Sequence, residues 1–465
     1  MKKNRLLIAV LSLITCSSFA QLTSHVDERF ELTSIVFRLA DAEEYVNNEV
    51  IGYANDIDAY FAAYKEHPLI QFIKEIREHD GIAYNAVSGF TTLLKINNNN
   101  IQLNSQENFD KYLTYDPRWT KKTFLRFVEL LNVFYKDTKF NIFYNQHLNL
   151  YAEAEKRFNT LLNSIDISWF ESFFGETFGT PFIYVSLSNG RSNYSLLSDK
   201  KDGTLGYGII IGCSTVDQEG IPLFNSQISS VIIHEFSHHF THIVISQYEK
   251  EMIEAAEKIF PHVEKQLNAV AYGTASATLD EGLNNLFVNM YFKEHSTGFE
   301  KYNIAKDERY GFIWMRRAVK FMDNFYENRK IYPFIKDFMP QIVSFMNTTG
   351  NYIEQVVNEY KQSNPYVTNI FPGLNTVVSS EINEIRINFS HPMWNSSGIA
   401  KSIQADLDLP NIELGHWTED KRTFIVPVKL EKGKNYGLSL PNYAFLSEDT
   451  FFMKENFEIT FKTAE

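Results

Sequence analysis

Val231-Ile232-Ile233-His234-Glu235-Phe236-Ser237-His238-His239-Phe240 is the stretch on which the reading of this chain turns. It carries His-Glu-x-x-His inside an apolar segment of helical period. Residues four apart share one face of a helix, so His234 and His238 can both point at one metal ion. Glu235 lies one step round, about 100° away. From there its carboxylate reaches a water beside the metal without ligating the metal itself. Two fixed ligands and an adjacent base are what metal-assisted hydrolysis requires. His239 sits at the wrong angle on the helix. His242, two turns past His234, does not readily close a tetrahedron with it. Both are read as supporting or core residues.

A catalytic zinc takes three protein ligands and leaves one position open. Metzincins place a Gly seven and a His ten residues after the first His. Thr241 and Val244 stand there, which excludes that subclass. Downstream, Thr278-Leu279-Asp280-Glu281-Gly282-Leu283-Asn284-Asn285 opens a second apolar helix. This stretch resembles the second helix of the zinc peptidases called gluzincins, where a Glu completes the site. The resemblance implies Glu281 as third ligand, with Asp280 as the alternative that an Asp-using subclass would take. It also implies a ligand-supporting polar group at Asn285.

The whole chain sets the context. Its 465 residues suffice for two or three domains. Met1 to Arg5 is basic, Leu6 to Thr15 is apolar, and Ser18-Phe19-Ala20 offers small residues before a cut at Gln21. Residues 1–20 read as an export signal, too short to span a membrane. Lipoprotein processing at Cys16 is the rival reading. Loss of Lys2, Lys3 and Arg5 takes the net charge from −13 to about −16. An acidic surface argues against nucleic acid or anionic membranes as partners. Only Cys213 would remain after cleavage, so core packing rather than cross-linking must hold the fold. A 15% aromatic content points to a large aromatic core.

Residues 29–40 alternate like a strand, and Tyr53 to Arg77 reads as helix interrupted at His67-Pro68. Asn97 to Asn100 reads as a loop tip, and Trp119 to Tyr135 and Leu148 to Ile165 as amphipathic helices. Phe182 to Leu187 and Gly206 to Ile211 read as strands, with Asn189-Gly190 as a hairpin signal. Either strand would offer an edge to a peptide, with Gly206 and Gly208 marking close backbone approach or a simple turn. From Leu279 to Met346 the period is helical, punctuated by Pro333 and Pro340. Asn351 to Gln362 is another helix. Beyond Asn364 come short alternating runs at 385–389, 423–428, 436–440 and 457–461, the pattern of a β-sandwich with Trp394 and Trp417 in its core. The expected fold is α+β: a mostly helical zinc-peptidase-like domain with a small sheet, then an all-β Ig-like sandwich. The expected divisions are 1–20, 21–170, 171–363 and 364–465.

Several pieces resemble a little-characterised bacterial family of exported or lipid-anchored His-Glu-x-x-His proteins. They are Glu31 to Leu39, Tyr64-Lys65-Glu66-His67-Pro68, the metal helix, Glu308 to Trp314 and Tyr332 to Pro340. The tail resembles bacterial Ig-like modules through Phe371-Pro372 and Ile387 to Met393. The family resemblance implies a peptidase-like architecture. The expected function is an exported zinc peptidase with Glu235 as general base. Arg309 and Tyr310 are candidates to hold a developing oxyanion, the alternative being helix packing. Peptides or proteins are the expected substrates. A non-catalytic metal-containing surface protein and a cell-wall amidase are the competing functions.

Overall fold

The computed structural model describes residues 22–176, 181–199, 205–295, 298, 300–404 and 406–465. The expected export signal and Cys16 lie outside them. The architecture is α+β, and the chain divides into two compact units, Met1–Ile167 with Thr177–Phe236, and Ser168–Glu176 with Ser237–Glu465. No helix among the described residues is long and apolar enough to cross a membrane.

The first unit is built on a helix where the sequence suggests a strand. Glu28–Leu39 is helical, opened by Asp27, whose side chain accepts from the Arg29 amide. Nine of its residues are buried, including Glu31, Thr33 and Ser34. A helix buried all round shows no apolar stripe, and its β-branched residues then imitate strand alternation. Glu31 is wholly buried and takes hydrogen bonds from the Leu187 amide (2.8 Å) and the Tyr53 hydroxyl (2.9 Å). Burial raises its pKa above the usual carboxylate range, against the pull of these donors.

Other local readings hold. His67 caps the Pro68–Asp80 helix by accepting from the Leu69 amide, with Pro68 in its first turn, and Gly81 ends it with φ +67°. Asn98 and Asn99, both at positive φ, turn the hairpin of Leu94–Asn97 and Asn100–Leu103.

The three-stranded sheet departs from expectation. Asn189-Gly190 does not pair its flanking strands. Phe182–Val185 runs parallel to Leu205–Ile211, and Asn193–Asp199 pairs antiparallel on the other side. Leu205–Ile211 is therefore central, and neither of its edges is open to a peptide. Phe182–Val185 is bridged on its outer side by His25, through His25 N to Ile183 O and Val185 N to His25 O. Among the described residues no strand pairs with the outer edge of Asn193–Asp199, although the Thr92 hydroxyl donates to the Leu197 carbonyl there at 3.1 Å. Gly208 serves the sheet itself, because a Cβ there would collide with the Phe182 carbonyl.

In the second unit, the Ile167–Phe174 helix supplies an aromatic clamp. Phe170 and Phe174 stack on Phe240, with ring centroids 5.6 and 4.8 Å apart. Phe173 and Phe174 also meet Phe287 edge-on at 5.8 and 5.4 Å. Glu249–Asn268 and Ile335–Asn351 are long helices, and Pro340 lies inside the latter rather than ending it. Helix ends at Ser363, and strand begins at Val367. The expected runs at 385–389, 423–428, 436–440 and 457–461 fall in the strands Glu384–Phe389, Thr423–Lys429, Asn435–Leu440 and Phe457–Thr463. They fall in two sheets that share one apolar core, including Ile387, Phe424, Leu438 and Ile459. Trp417 packs against that core, whereas Trp394 is 46% exposed and lies outside it.

Candidate metal centre

The Ser226–Ser246 helix carries the histidines. Ile232, Ile233, Phe236, Phe240 and Val244 are all buried, which fixes the rotation of the helix about its axis. Phe240 is held by the aromatic clamp. The same clamp holds Phe287 on the Ala275–His295 helix, so one element braces both halves of the site. The division between the two compact units falls within the histidine helix, after Phe236.

His234, His238 and Glu281 come together with one ligand atom from each inside a 4.8 Å span. His238 Nε2 lies 3.7 Å from Glu281 Oε1. A tetrahedral zinc with bonds of about 2.1 Å sets its donors about 3.4 Å apart. The pair is thus already near coordinating distance, and the donor set of two imidazoles and one carboxylate suits zinc. Asp280, the alternative third ligand, is directed elsewhere: its Oδ1 lies 3.3 Å from His242 Nδ1. That carboxylate raises the His242 pKa above the ordinary imidazole value, opposed by burial.

A buried polar join ties the two helices. The Thr241 hydroxyl donates to Asn284 Oδ1 at 2.8 Å, and both residues are fully buried. It lies one turn past His238 and one turn past Asp280, so it sets the helix spacing at the ligands. Gly282 adds to this. A Cβ there would stand 2.6 Å from Trp314 Cζ2, so only glycine lets the indole reach the helix beside Glu281.

The family comparison covers most of the chain. Residues 8–345 match the family described as "Domain of unknown function (DUF4932)". The chain belongs to that DUF4932 family. No curated protein matches it. Among solved structures, CopC from Methylosinus trichosporium OB3b is 14% identical over 22% of this chain and 93% of its own, with a TM-score of 0.17. Domains 1–6 of surface layer protein SbsC are 11% identical over 51% of this chain and 33% of theirs, with a TM-score of 0.18. A second SbsC structure, rSbsC(31-844), is 12% identical over 50% of this chain and 33% of its own, at 0.18. This chain spans about a third of the surface-layer chains. At these scores the likenesses carry no argument about fold or function.

Within the DUF4932 region, Arg309 has an aromatic setting. Its guanidinium lies over the Tyr310, Phe452 and Tyr443 rings, 4.7, 5.5 and 6.0 Å from their centroids. Its neighbour Glu308 is buried and paired with Arg316 at 3.1 Å. Arg316 in turn donates to the Thr450 carbonyl at 2.9 Å. The packing alternative named for Arg309 thus has direct contacts behind it. Cys213 is buried and free, and burial pushes its thiol pKa up. Sequence reasoning missed Thr241, Asn284 and the role of Gly282. A small polar residue facing an Asn is unremarkable in sequence, and only the packing of two helices pairs them.

Proposed function

We propose that this chain is an exported zinc peptidase in which His234, His238 and Glu281 hold the metal and Glu235 is the general base. The observation that carries the reading is the convergence of those three ligand atoms, with Glu235 next to His234 on the same helix. Bound zinc would supply Lewis acidity toward a water and a carbonyl oxygen. The chain's own residues do the rest. Glu235, half-buried, takes a proton from the attacking water as the scissile carbonyl is attacked, then delivers it to the leaving amine nitrogen.

In this reading the substrate pairs by its main chain with the Asn193–Ser195 end of the Asn193–Asp199 strand, since Thr92 already occupies the Leu197 carbonyl. No step is assigned to Arg309 or Tyr310. The two C-terminal sheets around one core support an Ig-like module, acting as a spacer rather than a catalytic part.

The test is Glu235→Gln, with zinc content and peptide hydrolysis measured on one preparation. Gln is near in size and helix propensity, so the fold and the metal should remain. Hydrolysis should fall by roughly 10²–10⁴, the usual contribution of a positioned acid–base group. Full zinc with near-wild-type hydrolysis would show that another group activates the water. A zinc-loaded wild type inactive on peptide libraries and on cell-wall peptides would favour a non-catalytic metal protein.

A further inference from the structure

The histidine helix carries a third imidazole in the same row. His234, His238 and His242 stand at i, i+4 and i+8, so all three line one stripe. The rings of His238 and His242 are stacked, 5.4 Å between centroids and 20° between planes. Asp280 closes on this second pair as Glu281 closes on the first. The ligand atoms of His238, His242 and Asp280 again lie within 4.8 Å of one another. The stripe therefore has two rungs, an inner one closed by Glu281 and an outer one closed by Asp280.

The rungs differ in access. His238 is buried, whereas His242 is exposed. His242 and Asp280 line an open cavity of about 430 Å³, together with Glu249, Thr274 and Ser276. Two carboxylates, Asp280 and Glu249, among the lining residues of a cavity raise the local concentration of cations. They do not by themselves make a site. The imidazole pair and the closed donor triangle do.

We propose that His238, His242 and Asp280 form an outer metal site that captures the ion from solvent and passes it inward. His238 is common to both rungs. A neutral imidazole donates through one nitrogen and keeps a proton on the other, so His238 serves one metal at a time. The two rungs are filled alternately, never together. Transfer inward exchanges His242 and Asp280 for His234 and Glu281 while His238 stays bonded. The inference rests on the metal reading of the inner rung but not on peptidase activity.

The experiment uses the full mature chain and zinc or cobalt(II) alone, with stoichiometry by elemental analysis and ligand environment by cobalt(II) visible absorption. Wild type should hold one metal per chain and never two. His234→Ala and Glu281→Gln each empty the inner rung by a different route. Each should keep one more weakly held metal, with an altered cobalt(II) spectrum. Adding Asp280→Ala to either should abolish that residual binding. His242→Ala alone should keep the single tight metal but load it several-fold more slowly in stopped-flow mixing.

A metal-loaded wild type whose inner-rung variants, folded by circular dichroism, bind nothing would overturn the outer site alone. So would residual binding that survives Asp280→Ala. Two metals on one wild-type chain would overturn the sharing of His238. Failure of wild type to bind any metal would remove both rungs, and the proposed function with them.

Discussion

Gly282→Ala puts the helix beside Glu281 under a measurable load. On propensity alone the change should help, since Ala is favoured over Gly in a helix interior by about 1 kcal/mol. The surroundings reverse the sign. The new methyl would stand 2.6 Å from Trp314 Cζ2, 3.0 Å from Cη2 and 3.1 Å from Phe312 Cδ1. Carbon atoms rest about 3.5–4.0 Å apart, so a displacement of about 1 Å is needed. Trp314 is wholly buried and cannot swing into solvent. Overpacking of this kind costs about 1–3 kcal/mol, which leaves a net loss of up to about 2 kcal/mol after the propensity gain of about 1 kcal/mol. The same displacement moves Glu281, while metal sites tolerate only about 0.2 Å, so zinc affinity should fall as well.

Gly52→Ala is the matched control. It lies in the Ile51–Tyr60 helix with nothing within 4 Å of the added carbon, and should stabilise by up to about 1 kcal/mol. The assays are urea unfolding followed by circular dichroism and zinc competition against a chromophoric chelator. Because the chain has two compact units, midpoints are compared transition by transition. If Gly282→Ala raised its midpoint as Gly52→Ala does, with zinc affinity intact, the argument from the Trp314 contact would be wrong.

Other consequences follow from buried polar groups. Burial raises the Glu308 pKa from 4.5 to about 7, against the pull of Arg316. A raised folded-state pKa favours the protonated form, so its stabilisation is complete below about pH 4.5 and is lost as pH rises through about 7. Relative to Glu308→Gln, wild type should therefore lose about 3 kcal/mol across that window, and parallel pH–stability curves for the two proteins would contradict this. Asn284→Ala removes one of two acceptors of the buried Thr241 hydroxyl, which keeps the Ser237 carbonyl at 2.9 Å, and should cost about 0.5–1.5 kcal/mol. Thr241→Val removes the donor from the same join and should cost a similar amount, and thermal unfolding of the two variants checks it. Glu31→Ala strands the buried Leu187 amide, while the Tyr53 hydroxyl keeps the Tyr151 hydroxyl at 2.7 Å, so it should cost about 1–3 kcal/mol. An unchanged midpoint would mean that water replaces the carboxylate.

What the sequence made legible is what is local. His234, Glu235 and His238 are related by helix geometry, which four consecutive residues determine. Glu281 was reached through the resemblance of its stretch to a zinc-peptidase second helix, with Asp280 beside it as the rival. In the structure Glu281 groups with His234 and His238, while Asp280 lies 3.3 Å from His242 Nδ1. The Glu28–Leu39 helix was misread because burial on every side erases the period that identifies a helix. Sheet order was misread for a different reason. Asn189-Gly190 does turn the chain, but which strands pair is decided by Gly208 admitting the Phe182 backbone, a long-range contact with no local signature.

The pieces of likeness outside the ligand helix have a common physical character. Glu31 satisfies the Leu187 amide behind a sheet strand. His67 caps a helix with Nδ1 and faces Asp137 at 3.5 Å with Nε2. Glu308 anchors Arg316, which reaches the Thr450 carbonyl. Lys336 donates to the Gly175 carbonyl at 3.0 Å and pairs with Glu176 at 2.8 Å, at the end of the aromatic clamp. Each is a polar join that an apolar residue could not replace without leaving a partner unsatisfied. They specify how the elements meet rather than what the site does. A chain that kept these joins but lost His234, His238 or Glu281 should therefore keep this fold without the inner metal position. Membership of the DUF4932 family by itself therefore assigns no chemistry to this chain.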